Sequence, residues 1–343
     1  MNYNLKNVVL AALVVIVALS VGACSSSDDE IVVYSARREG FVRPVLESFE
    51  KETGIRVRLL TGGEALVNRI VSEGDDVKAD VFLANDTGAM EFLRENELLA
   101  ANDSARVASV DERYRAPDGS WVGISARTRV FMYNRDLISS DEMPTRIEDL
   151  ADPRWANSFA VARGGNSSTV THVAVLRSVW GDERTADWLS AINSNSGAVL
   201  DGHTAIRHAV GSGEFAFGLV NNYYYHLQSR EPANNNVGVI YPDGQPGEMG
   251  AFVNAAGAAL LRDAPNHDAA VGLIDYLLAP EQVQAFTELS RETPLDPSIP
   301  VVPEADPIDS YATMEIPLTG VGEAWRDARD LISESGLDLG LDN

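Results

Sequence analysis

Apolar segments with strand character alternate with amphipathic segments along this chain, and this alternation constrains its fold more than any other feature. IVVY at 31–34 is a β-branched run, after which apolar residues from Phe41 to Phe49 recur at helical spacing up to Gly54. ADVFLA at 79–84 is a nearly continuous apolar run of the type buried on both faces of a sheet. Repeated strand–helix units predict an α/β fold in which mostly parallel sheets are flanked by helices.

The alternation continues through the second half of the chain. RVFMYN at 129–134, SFAVAR at 158–163 and FAFGLV at 215–220 are predicted strands, and 268–290 is predicted to form one strong helix. Ligands of open α/β sheets bind beyond the carboxyl ends of strands. The loops at those positions are rich in arginine, carboxylate, serine and tyrosine side chains, and they span residues 35–39, 85–87, 163–169 and 221–225.

The N-terminus has the pattern of an export signal. Lys6 precedes an uncharged apolar run at 8–21 that is short for a transmembrane helix, so residues 1–23 are predicted to be a signal peptide. VGAC, ending at Cys24, resembles the lipobox of bacterial lipoproteins, which implies lipidation of Cys24 and a hydrophilic tether at 24–30. We therefore expect a periplasmic location or one on the outer face of the cell membrane, with a lipid anchor.

Composition limits the remaining possibilities. Cys24 is the only cysteine among 343 residues, so an intramolecular disulfide is excluded, and the roughly 320 residues after the signal are enough for two domains. Lys and Arg total 27 against 51 Asp and Glu, giving a net charge of −24. So acidic a chain repels phosphate backbones, which argues against a nucleic-acid partner. A saline habitat or a need for solubility also explains the acidity.

Three consecutive tyrosines, Tyr223 to Tyr225, follow the predicted strand FAFGLV and two asparagines. Neither a strand nor a helix can direct three successive side chains into one core. Asn221 or Asn222 is a suitable cap for a helix whose first turn would contain the tyrosines. The positive end of that helix is expected to lower the pKa of the phenols.

Ionised phenols are hard oxygen ligands that suit a highly charged cation such as Fe³⁺. A zinc enzyme is poorly supported, because HExxH is absent and His203 and His208 are five residues apart. Structural packing of exposed phenols remains an alternative at this point.

Several segments together resemble the ferric-ion-binding proteins of bacterial ABC importers. They are VVYSARRE, FEKETGIRV, ADVFLANDTG, RVFMYNRD, FGLVNNYYYHL and ETPLDP. The resemblance implies a two-domain clamshell of the periplasmic-binding-protein type with Fe³⁺ in the interdomain cleft. It further implies a monomer that catalyses no reaction and delivers its ligand to a membrane permease and the associated ATPase.

The clamshell leads to predicted lobe boundaries. Residues 31–128 and 254–300 would form the N-terminal lobe, and residues 129–253 and 301–343 the C-terminal lobe. Hinges are expected where the chain crosses between lobes, and ligand binding would stabilise the closed form.

The resemblance also implies iron ligands. Tyr223 and Tyr224 match the adjacent ligand tyrosines of the family, and Glu39 and Asp86 are further candidates. The chain departs from the family elsewhere: Arg37 and Arg38 stand where many members have a ligand histidine, Asn85 where some have a glutamate, and Ser168 near the place of a third tyrosine. Arg37 is interpreted as part of a surface ion pair.

Two phenolates leave Fe³⁺ coordinatively unsaturated, and the resemblance implies phosphate or carbonate as a synergistic anion. Arginine can hold such an anion bidentately, and a helix N-terminus adds further donors. The candidates for anion binding are Arg38, Arg127, Ser167, Ser168 and Asn221.

Two alternatives remain from the sequence. Related proteins bind thiamine, phosphonates and other small anions, so the same fold can hold a phosphorylated or anionic organic solute, with the tyrosines stacking on it. A hydrolase using Ser167 with His172 is the other, although the chain has no G-x-S-x-G motif.

Overall fold

The computed structural model describes residues 30–63 and 65–337. The predicted signal peptide, Cys24 and most of the predicted tether lie outside the described residues. Within this part of the chain, no helix is both long enough and apolar enough to cross a bilayer.

Ten strands and eleven α-helices alternate in the described residues. The strands are β1 (Glu30–Ser35), β2 (Arg56–Thr61), β3 (Val81–Ala84), β4 (Trp121–Asn134), β5 (Phe159–Ala162), β6 (Ala198–Leu200), β7 (Phe217–Asn221), β8 (Val237–Ile240), β9 (Val253–Leu260) and β10 (Thr293–Pro294). The α-helices are α1 (Glu39–Thr53), α2 (Ala65–Glu73), α3 (Thr87–Glu95), α4 (Ala105–Ser109), α5 (Ser167–Trp180), α6 (Asp182–Asn195), α7 (His203–Ser212), α8 (Asn222–Gln228), α9 (His267–Leu277), α10 (Pro280–Ser290) and α11 (Val321–Glu334). Short 3₁₀ helices are Gly74–Asp76, Glu112–Tyr114, Ser140–Glu142, Ile147–Ala151 and Pro153–Trp155.

The strands follow the order β2-β1-β3-β9-β4-β7-β5-β6, with β8 and β10 also paired to β4. β1 pairs in parallel with β2 and β3, and β5 pairs in parallel with β6 and β7. The parallel pairing predicted from the strand–helix repeats is therefore present at both ends of the strand order. β4 and β9 add antiparallel pairs in the middle.

The long strand β4 joins the two halves of this sheet. Its residues 121–128 pair with β9, and its residues 129–134 pair with β7 and β8. The first half, as we define it, consists of β1 to β3, the part of β4 up to Thr128, β9 and β10. The second half consists of the part of β4 from Arg129 onward and β5 to β8. The backbone N–H of Arg129 donates to the carbonyl of Phe252 at 2.9 Å, so the return crossing lies beside the first. The lobe boundaries and the hinge motion remain predictions.

Both halves are covered on their two faces by apolar side chains. Adjacent residues Phe82 and Leu83 of β3 belong to different apolar clusters, as do Leu219 and Val220 of β7. Successive strand side chains point to opposite faces, so β3 and β7 are each enclosed between two apolar layers. The α/β fold with helices flanking the strands is thus confirmed.

The predicted helix over 268–290 is wrong, because two helices occupy it. α9 ends at Leu277 and α10 begins at Pro280. Ala279 has the extended angles φ −63° and ψ 137° that a residue before proline prefers. Pro280 then takes the first helical position, where its missing N–H costs nothing.

The C-terminal helix α11 contacts both halves of the molecule. It packs on α3 of the first half and on α5 of the second half. The rings of Phe92 and Trp325 lie 5.9 Å apart, and the carboxylate of Glu91 accepts a hydrogen bond of 2.7 Å from the N–H of Gly320.

Phe217 fixes the start of β7, the strand that leads to the tyrosines. It is fully buried, stacks on Phe159 at 5.3 Å and meets Phe131 and Trp155 edge-on. We expect Phe217→Ala to lower the free energy of unfolding by about 3–5 kcal/mol, because it removes the ring and leaves a cavity. Urea denaturation measures this loss, and Leu137→Ala, at a side chain that is 54% exposed, is the control with a change near zero.

Candidate functional site

Tyr223 and Tyr224 lie in the first turn of α8, directly after β7. Tyr223 is buried, Tyr224 is half-buried, and their ring centroids are 4.3 Å apart. Burial, and then the adjacent Tyr223 phenol, raise the pKa of Tyr224. The expectation that the helix would lower the phenol pKa is wrong for Tyr224, because α8 has only 7 residues and burial outweighs its dipole.

Tyr225 shares its apolar packing with Tyr224, but the close ring contact of the segment is between Tyr223 and Tyr224. Tyr225 is half-buried and packs against an apolar cluster that includes Val130, Val220 and Val237. Packing therefore accounts for the third tyrosine.

The asparagines before the tyrosines also differ from expectation. Asn221 occupies the N-cap position of α8, but its side chain makes no capping hydrogen bond. Instead its Nδ2 donates to Ser168 Oγ at 3.0 Å and its Oδ1 accepts from Arg129 at 3.3 Å. Asn222 Nδ2 donates to Thr293 Oγ1 at 3.0 Å, which ties α8 to β10.

Arg127 of β4 contacts Tyr223 directly. Its Nη2 donates to the Tyr223 hydroxyl at 2.8 Å, and its Nη1 donates to the backbone carbonyl of Asn85. Its Nε lies 3.2 Å from Oε1 of Glu292. Burial lowers the pKa of Arg127, but Tyr223 and Glu292 outweigh that cost, so the net shift is upward. Arg127 thus links the loop after β3 in the first half to a tyrosine in the second.

Glu292 is a buried carboxylate just before β10 that sequence reasoning missed. Its Oε2 accepts from Arg37 Nη2 at 2.8 Å, from Ser125 Oγ at 2.6 Å and from Ser290 Oγ at 3.3 Å. The ETPLDP segment containing Glu292 was recognised in the sequence, but nothing local marked this carboxylate as buried.

Arg37 is not a surface residue, so that interpretation is wrong. It is 3% exposed, its guanidinium lies 4.6 Å from the centre of the Phe286 ring, and its ion pair with Glu292 is internal. Burial, only partly offset by Glu292, lowers its pKa.

A second buried arginine and a histidine lie beside the tyrosines, and neither was predicted to belong to the site. Arg129 Nη1 is 2.7 Å from Nε2 of His203, whose ring meets Tyr224 edge-on at 5.2 Å. Because arginine only donates, His203 Nε2 is the acceptor and carries no proton. Burial, and then Arg129, lower the pKa of His203, which keeps the ring neutral. Burial also lowers the pKa of Arg129 to about 9.

Asp86 is buried between the halves, where its carboxylate accepts hydrogen bonds from α3 and α5. Its Oδ1 caps α3 by accepting from the N–H of Ala89 at 3.0 Å and also accepts from Thr171 Oγ1 at 3.1 Å. Asn85, the residue before it, donates through Nδ2 to the carbonyl of Ala36 at 2.7 Å.

Arg38 and Glu39 are exposed at the start of α1. Glu39 pairs with Arg43 at 2.7 Å, one turn along the helix. The Arg38 side chain makes no hydrogen bond or ion pair within the described residues. The structure does not bring either side chain into contact with the tyrosines.

Ser167 and Ser168 begin α5, which Asn166 caps by accepting from the N–H of Ser168 at 3.1 Å. Ser168 is buried and joined to Asn221, whereas Ser167 is half-buried. The structure therefore brings together five of the predicted residues, Tyr223 with Tyr224 and Arg127, and Ser168 with Asn221. Arg129 connects Asn221 to His203.

In the part of the chain that the structure describes, the carboxylates and histidines are not clustered as in a conventional metal centre. No group of three or more His, Cys, Asp or Glu side chains is arranged to hold a metal ion among the residues described. The two adjacent phenols, with buried arginines around them, are instead suited to a hard cation accompanied by an anion.

Comparison with known proteins gives consistent matches. The family model of bacterial extracellular solute-binding proteins matches residues 76–317. The chain is 33% identical over 317 residues to iron uptake protein A1 of Synechocystis sp., covering 90% of this chain and 87% of that protein. It is 33% identical over 263 residues to the Fe(3+)-binding periplasmic protein of Serratia marcescens, covering 76% and 77%. The solved structure of Trichodesmium IdiA (FutA) in complex with iron and citrate superposes with a TM-score of 0.82 at 28% identity, covering 90% of this chain and all of that one.

Proposed function

Because this chain belongs to the family of bacterial extracellular solute-binding proteins, we propose that it captures Fe³⁺ between its two domains and delivers it to an ABC permease and its ATPase. The observation that carries the proposal is the adjacent pair Tyr223 and Tyr224, whose rings lie 4.3 Å apart in the first turn of α8, directly after β7. Two neighbouring tyrosines supply two hard oxygen ligands of the type that Fe³⁺ prefers.

Fe³⁺ would bind the two tyrosines as phenolates. The proton of Tyr224 must leave, since burial raises its pKa and keeps it protonated without metal. Arg127, which donates to the Tyr223 hydroxyl at 2.8 Å, would stabilise the negative oxygen at that position.

An anion would complete the coordination of the metal. Arg127 and Arg129 are buried, and Nε of Arg129 has no hydrogen-bond partner among residues 30–63 and 65–337. Phosphate or carbonate beside them would compensate this positive charge while binding Fe³⁺. Ser167, at the N-terminus of α5, is a further donor for such an anion.

The rest of the proposal concerns transport. The protein would act as a lipid-anchored monomer outside the cytoplasmic membrane and would catalyse no reaction. Closure of the domains about β4 and β9 would enclose the ligand, since Arg127 and Asp86 already make contacts across the two halves. Glu39 and Arg38 would contribute only if α1 moved on closure.

An absorbance titration of the purified protein with ferric citrate tests the function. We expect a broad visible band from phenolate-to-Fe³⁺ charge transfer, saturating at one Fe³⁺ per protein. A protein that stays colourless at saturating ferric citrate would refute iron capture, and phosphorylated organic solutes would then be tested by calorimetry.

A further inference from the structure

Arg127 contacts the Tyr223 hydroxyl and the Glu292 carboxylate at the same time. Its Nε lies 3.2 Å from Oε1 of Glu292 in an ion pair that lacks hydrogen-bond geometry, and its Nη1 donates to the carbonyl of Asn85. The ion pair at Nε and the hydrogen bond from Nη1 leave Nη2 of the planar guanidinium to donate to the tyrosine hydroxyl. The orientation of Arg127 therefore depends on where the Glu292 carboxylate lies.

The Glu292 carboxylate is itself rigidly placed. Its side chain is 3% exposed, and its Oε2 accepts from Arg37, Ser125 and Ser290. These donors come from the loop after β1, from β4 and from the end of α10, so three separate segments fix one oxygen. The other oxygen is thereby directed at Arg127.

This proposal rests on the proposed Fe³⁺ site. We propose that Glu292 is a positioning residue of that site, because it orients Arg127 toward the Tyr223 oxygen. Its negative charge would also compensate the charge of Arg127 when Fe³⁺ binds the Tyr223 oxygen. Fe³⁺ at that oxygen brings three positive charges close to a buried guanidinium. Buried charges are weakly screened, so the negative charge of Glu292 offsets part of this repulsion. Glu292 need not touch the metal to act in this way.

Glu292→Gln tests the role, because it keeps the size of the side chain and removes its charge. We expect Fe³⁺ binding, measured by competition with citrate, to weaken by about 10–100-fold, the range for partners that orient metal ligands. We also expect the visible band to move to longer wavelength, because a phenolate that loses its hydrogen bond from Arg127 gives up electron density to Fe³⁺ more readily. Unchanged affinity, or a band that stays in place or moves to shorter wavelength, would overturn the proposal.

Glu91→Gln is the matched control. Glu91 is also a buried carboxylate paired with an arginine, Arg94, and it accepts from Trp121 at 2.7 Å, but it contacts none of the site residues. Both glutamine variants are expected to lose thermal stability, and only Glu292→Gln should change iron affinity and the visible band. Equal effects of the two variants on iron binding would show that Glu292 acts through stability alone.

Two further variants test the path through Arg127. Glu292→Asp keeps the charge and should restore part of the affinity. In an Arg127→Ala background, Glu292→Gln should have little additional effect, since the group it positions is gone. Fully additive effects would refute action through Arg127. A parent protein without any visible band would refute the Fe³⁺ function itself, which is a different result from any of these.

Discussion

Replacing Tyr223 and Tyr224 together with phenylalanine is expected to remove the visible Fe³⁺ band completely. Loss of orienting partners alone weakens metal sites by up to ~100-fold, so loss of both direct ligands should exceed that value. Phenylalanine keeps both rings and their 4.3 Å packing, so the change isolates the two oxygens. Absorbance titration with ferric citrate and competition for iron against citrate measure the two effects.

Tyr225→Phe is the internal control for this experiment. Tyr225 follows the pair in sequence, and its ring meets that of His226 edge-on at 5.7 Å. This substitution should leave the band and the affinity within about twofold of the parent protein, because Tyr225 is not one of the proposed ligands. Loss of the band in Tyr225→Phe, or its survival in the double variant, would disprove the assignment of the ligands.

Iron binding is expected to release protons and to weaken steeply on acidification. The pKa of Tyr224 is raised by burial and by Tyr223, so Tyr224 is protonated at every pH up to and beyond neutral. Its proton must leave when Fe³⁺ binds, and the affinity should therefore fall about tenfold per unit decrease in pH for each proton released. The sign is fixed, since a group with a raised pKa holds its proton more tightly and competes better with metal at low pH.

Calorimetry in two buffers of different ionisation enthalpy counts the released protons directly. We expect at least one from the parent protein and one fewer from Tyr224→Phe, with ferric citrate titrated into buffer alone subtracted. An equal proton count in the two proteins would mean that Tyr224 does not ionise on binding.

The alternation of strands and helices could be read from the sequence because each unit is local. IVVY, ADVFLA and FAFGLV each lie in or overlap an observed strand, and β7 leads into α8 as expected. The position of β9 between β3 and β4 could not be read in this way, because strand order depends on contacts between distant segments. Pro280 itself indicated a break between two helices, but the helical spacing of apolar residues on both sides of it favoured one continuous helix.

The site was only partly predictable for the same reason. Tyr223 and Tyr224 stand out in a short segment, and Arg127 lies beside a predicted crossing between the lobes. Glu292 lies 255 residues from Arg37, with which it forms an ion pair, and no local pattern connects them.

Arg129 and His203 belong to the site, but the sequence did not indicate that they are buried. Arginine and histidine are usually exposed or half-exposed, and only their tertiary surroundings reveal that both are buried here. Arg38 and Glu39 were favoured because they follow β1, yet they lie on the exposed start of α1.

The placement of β9 also governs the order in which this protein can fold. β9 lies between β3 and β4, although it emerges from the ribosome more than a hundred residues after β4 begins. Until it arrives, β3 lacks one neighbour and the first half has an open edge, which is prone to pairing with other chains. The first half can therefore complete its sheet only after most of the second half has been synthesised. A nascent chain ending before Val253 should be a target for chaperones.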